Sequence, residues 1–152
     1  MPALDCRADI RGKGKTEMGK TIDELLESAY WIMDILPGQV PKNSPGQYFA
    51  VEKYFLEGKR LAAVRQKYIS VILKLNCYRD ISLDDEPEIN PPPERIAEEM
   101  RKRYLCIRVD EAMILSEPDE HYMTVFNPDG ELLDLIRAIA AGEGLYVWKP
   151  KG

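Results

Sequence analysis

From residue 69 to the C-terminus, the spacing of apolar residues switches repeatedly between a period of two and a period near 3.6, and turn residues mark each switch. Ile69, Val71, Leu73, Leu75 and Cys77 occupy alternate positions, which predicts a strand with one apolar face. Residues 79–92 hold five acids and lead into Pro91-Pro92-Pro93, a composition that predicts a mobile loop. A helix is expected over 93–103, with Asn90 as its cap, Ile96 and Met100 facing inward, and Glu98/Lys102 and Glu99/Arg103 as i,i+4 pairs. Residues 104–109 and 112–116 read as one bent strand or two, and a turn at 117–120 leads to a strand over 121–126. Asp129-Gly130 opens a helix over 131–141 that Gly142 stops, and 145–148 forms a last short strand.

The predicted fold class is therefore α+β: N-terminal helices, then a β-α-β-β-α-β order compatible with a ferredoxin-like, mainly antiparallel sheet with helices on one face. Upstream, Thr21-Ile22-Asp23-Glu24 is a capping box. Ile22, Leu25, Leu26, Ala29, Ile32, Met33 and Leu36 continue from it at helical spacing, so one helix is expected from 21 to Pro37. Residues 37–46, with three prolines and two glycines, are a rigid loop; 48–56 and 60–68 are expected helices divided by Gly58. Residues 21–152 form a single domain on this reading, and 1–20 a tail or an edge strand over the alternating residues 4–10.

Charge and cysteine content narrow the function classes. The chain of 152 residues has a net charge of −5, spread unevenly. Residues 1–79 carry 13 basic and 9 acidic side chains, a balance of +4, whereas residues 80–152 carry 8 and 17, a balance of −9. An acidic chain is a poor general binder of polyanions, because each phosphate contact needs its own cation. Cys6, Cys77 and Cys106 lie far apart with no paired spacing, which fits reduced thiols in the cytoplasm rather than a disulfide framework. Neither a signal peptide nor a membrane span is read in the sequence.

One formal motif stands out. Residues 14–21 match the phosphate-loop pattern through Gly14, Gly19, Lys20 and Thr21, with Mg²⁺ and ATP or GTP as the implied ligands. Residues 105–111 imitate the apolar strand ending in an acid that holds the metal in such proteins. The context opposes the match. Asp5, Arg7, Asp9, Arg11 and Lys13 take every second position of the segment that would have to be a central parallel strand, and Thr21 already serves as a helix cap.

Other constellations are weaker. His121 beside Asp119 and Glu120 has the ingredients of a general base, but a surface histidine at a turn is the simpler reading. Metal ligation by Cys77, Cys106 and His121 lacks any ligand spacing, and the acids Asp80, Asp84, Asp85, Glu86 and Glu88 do not fit a Ca²⁺ loop, so they are expected to be solvated. The basic, aromatic segment 52–79 raises nucleic-acid binding as an alternative. Tyr30, Trp31, Tyr48 and Phe49 bracket the proline-rich loop and are the residues proposed to meet a partner. The leading expectation is a small binding or regulatory protein without catalytic activity. Its partner would be a protein, basic by charge complementarity, or a second copy of the chain; an inhibitor of the immunity type is one version.

Overall fold

A computed structural model of the protein describes residues 20–151. In chain order the elements are α1 (Ile22–Leu26), β1 (Tyr30–Asp34), α2 (Tyr48–Phe55), α3 (Gly58–Leu75), β2 (Ile81–Leu83), α4 (Pro93–Lys102), β3 (Leu105–Val109), β4 (Ala112–Ser116), β5 (Tyr122–Phe126), α5 (Gly130–Gly142) and β6 (Tyr146–Trp148). The six strands form one open sheet in the order β2-β3-β4-β5-β1-β6, and every neighbouring pair is antiparallel. The α+β class is as expected. The ferredoxin-like order is not formed, because the segment expected to supply its first strand is helical and β1 is inserted between β5 and β6 instead.

Two expected elements change identity. The helix over 21–36 survives only as α1, where Thr21 and Glu24 close the capping box reciprocally. Ser28 then bonds back to the Leu25 carbonyl, and the chain extends as β1. Pairing on both sides, with β5 and β6, gives residues 30–34 backbone partners that outweigh their helical spacing. The strand expected over 69–77 is the C-terminal half of α3, an 18-residue helix. Its buried positions Val64, Arg65, Tyr68, Ile69, Val71, Ile72 and Leu75 follow the helical repeat straight through the expected boundary.

Residues 79–92 are organised rather than mobile. They contain the edge strand β2, and Asp84, Asp85 and Asn90 take left-handed conformations (φ 51°, 58° and 57°) that short polar side chains tolerate. Asn90 does not cap α4; it accepts from the Ile81 N–H (2.9 Å) and donates to Asp80 (2.9 Å). Residues 104–116 are two strands, and Gly142 is the last residue of α5, the left-handed turn falling at Gly144 (φ 76°). Both i,i+4 pairs on α4 form as expected, as do the inward positions of Ile96 and Met100.

Helices α3, α4 and α5 cover one face of the sheet, burying Met33, Leu83, Ile107, Ile114 and Val125 against Tyr68, Ile72, Met100 and Ile136. Coverage of the opposite face is partial. There Ile22 and Leu25 of α1 pack on Cys106, Met113 and Phe126, a second and smaller apolar cluster. No helix among the described residues is long and apolar enough to cross a membrane.

Candidate functional site: an open sheet face and its adjoining cleft

Directly paired residues of an antiparallel ladder point to the same side, so the register assigns the second face residue by residue. One row across it runs Arg108, Met113, Phe126, Tyr30; the next runs Cys106, Leu115, Thr124, Ile32, Trp148; the third runs Tyr122, Asp34, Tyr146. Among the described residues α1 covers this face from β3 and β4 as far as Phe126 of β5, and the rest of the β5–β1–β6 end carries no helix. Tyr30 is 41% and Tyr146 49% exposed, with Ile32, Tyr122, Thr124 and Trp148 half-buried around them. Tyr30 rests on Phe126 with ring centroids 5.6 Å apart, which joins the open half to the covered half.

Asp34 and Trp148 also line a cleft of about 290 Å³ together with the 37–46 loop, Tyr48 and Phe49. Phe49 is 80% exposed, and α2 buries none of its residues despite its aromatic content. Of the four residues proposed to meet a partner, Tyr30 is on the open face and Tyr48 and Phe49 are at the cleft. Trp31 belongs to the other side of β1, where the Lys149 ammonium lies 4.4 Å from its ring centroid. Tyr122, Tyr146 and Trp148 were not singled out from the sequence, since their shared face depends on the register of β1.

The cleft is held from behind by His121, which is buried and not on the surface. Its ring donates from Nδ1 to Asp34 Oδ1 (3.3 Å) and from Nε2 to Glu52 Oε2 (2.9 Å), and the Tyr48 hydroxyl donates to the same Glu52 oxygen (3.1 Å). The hydrogen bond to Asp34, helped by Glu52 and opposed by burial, raises the imidazole pKa to about 9. Burial and the Glu52 carboxylate raise the Tyr48 phenol to about 12. At neutral pH the ring is therefore an imidazolium tying β5 to β1 and α2, with no lone pair for general-base work. Its partners are Asp34 and Glu52, not the adjacent Asp119 and Glu120.

The remaining candidates are placed as follows. Gly14 and Gly19 lie outside the described residues, as does the segment 4–10. Thr21 spends its hydroxyl on the Glu24 N–H, and the Lys20 carbonyl accepts from Arg108 (3.3 Å). The antiparallel sheet provides no parallel strand–loop–helix setting for a phosphate loop among the described residues. In the basic segment, four of the seven cations are engaged within the chain: Arg65 is buried, Lys74 pairs with Glu143, Arg79 with Asp110, and Arg60 lies over Tyr54. Four of the five acids of 80–88 are paired rather than merely solvated, Asp84 with Arg103, Asp85 with Arg108, and Glu86 and Glu88 with Arg95, while Asp80 accepts from Asn90. Cys106 is buried under α1 and Cys77 is exposed. Among the described residues no group of three or more His, Cys, Asp or Glu side chains is placed to hold a metal ion.

Compared with known proteins, the chain matches no family model, no curated protein and no solved structure. The geometry alone carries the functional reading.

Proposed function

We propose that this chain is a binding protein that docks a protein partner on the open half of its sheet, with the cleft at Asp34, Tyr48, Phe49 and Trp148 as the adjoining pocket. The observation that carries this is the row of aromatic and apolar side chains contributed by three adjacent strands and left without a covering helix among the described residues. A contiguous apolar patch of that kind, rich in Tyr and Trp, is the composition of a contact surface. The turn carrying Glu117, Asp119 and Glu120 runs directly into His121 and Tyr122 of the site, and burial together with Glu120 and Asp119 raises the Glu117 carboxyl. This acidic rim favours a basic partner by charge complementarity and speeds the encounter. A stoichiometric inhibitor of the immunity type is one form such a protein takes.

A photo-crosslinking residue at Tyr30 or Tyr146, compared with one at the exposed Glu131 on α5, tests the reading in extracts of the source cells. A discrete adduct from the two sheet positions, absent from Glu131 and lost on adding Ile32→Lys, is the expected result. Equal labelling from all three positions, or none, removes the proposal.

A further inference from the structure

Two arginines are buried among the described residues; both leave Nε without an acceptor, and they differ in whether a carboxylate touches the guanidinium. Arg108 has a carboxylate, Asp85, at 3.2 Å. Arg65, 4% exposed, has no carboxylate within ion-pair distance among the described residues. Its guanidinium donates to Ser116 Oγ (2.6 Å) and, more weakly, to the Glu120 carbonyl (3.3 Å), and sits 5.1 Å from the Tyr68 ring centroid. Its Nε is buried with no acceptor. A buried guanidinium without a contacting anion is costly, and structures rarely leave one in that state.

Arg65 lines a pocket of about 360 Å³ between α3, α4 and the 117–120 turn. Leu61, Ala62, Ile69 and Pro118 give it apolar walls, and a second cation, Arg101, lines it from α4. Asp119 is the one acid in the lining and is exposed. We infer that this pocket binds a small organic monocarboxylate, its carboxylate held by Arg65 and Arg101 and its hydrocarbon body against the apolar walls. Bidentate geometry suits the guanidinium fork to a carboxylate. A dianion such as phosphate is disfavoured because Glu117, Asp119 and Glu120 all lie close enough to act on Arg65. The pocket shares the 117–120 turn with the rim of the docking surface, but its carboxylate site does not depend on the docking proposal.

The test is a titration followed by amide NMR, with hexanoate as the probe, hexanamide as its neutral counterpart and inorganic phosphate as the dianion. Hexanoate is expected to shift the amides of 58–69 and 116–121, and hexanamide to bind about tenfold more weakly. Arg101 is exposed, so Arg101→Gln keeps the fold and weakens hexanoate about fivefold, while Asp119→Asn tightens it. Arg65→Gln abolishes the shifts if it folds; the Arg101 variant decides the matter if it does not. No shift at about 50 mM hexanoate, far weaker than useful binding, overturns the inference. Equal binding of hexanamide, no effect of Arg101→Gln, or tighter binding of phosphate overturns it as well.

Discussion

At the scale of single residues, His121 joins more of the molecule than any other titratable group at the site. Its ring bridges β1 and α2 through Asp34 and Glu52, and the Tyr68 hydroxyl donates to its carbonyl. The folded pKa of about 9 lies above the ordinary value of 6.5, so the folded state holds the proton more tightly than the unfolded chain. The stability this adds is fully present below about pH 6.5 and is lost as pH rises through 9. His121→Gln should therefore cost on the order of 2 kcal/mol at pH 6 and much less at pH 10, as read by urea denaturation at the two pH values. A cost independent of pH would mean that the proton is not shared with the carboxylates. The residue itself was visible in the sequence, but its partners stand 87 and 69 positions away. Spacing arguments reach only three or four positions along a helix, which is why Thr21/Glu24 and Glu99/Arg103 were legible and Asp34/His121 was not.

At the scale of elements, the period of residues 69–77 depends on the length of the window over which it is taken. Ile69 to Cys77 alternates well enough for a strand. Leu61, Val64, Tyr68, Ile72 and Leu75 carry a helical stripe across the same residues, and no Gly or Pro interrupts 59–76. The 79–92 segment failed differently, because its order comes from polar contacts that composition does not show. Asp84 accepts from the Cys106 N–H (2.9 Å), bonds its own N–H to the Cys106 carbonyl (2.8 Å) and pairs with Arg103, which extends the β2–β3 edge past its last strand residue. Asp84→Ala should cost about 3 kcal/mol, since it strands a buried donor and places a β-carbon-bearing residue at a positive φ without polar compensation. Glu88→Ala, at an exposed pair with Arg95, should cost about 0.5 kcal/mol. Chemical denaturation of both variants checks the contrast; equal costs would return the segment to the status of an acidic loop.

For the molecule as a whole, the hairpin run β3-β4-β5 and the final β6 were readable because each strand is short, apolar and bounded by turns. The position of β1 was not, since its place between β5 and β6 is set by pairing with residues about a hundred positions downstream. That placement also creates the open face: the strand adds width to a sheet whose second side is covered, among the described residues, by the five-residue α1 alone. The two halves of this face should then respond in opposite ways to truncation. Leu25→Ala, at a fully buried position on the inner side of α1, should cost about 3 kcal/mol by leaving a cavity. The double change Tyr30→Ser with Tyr146→Ser removes two larger side chains from the same face, yet should cost only about 1 kcal/mol, chiefly the Tyr30–Phe126 contact, because both are already about half exposed. The native state of that double variant should also bind less anilinonaphthalene sulfonate, a dye that reports exposed apolar surface. If the two tyrosines cost as much as Leu25, or the dye signal is unchanged, the β5–β1–β6 end is closed core and has no surface to offer a partner.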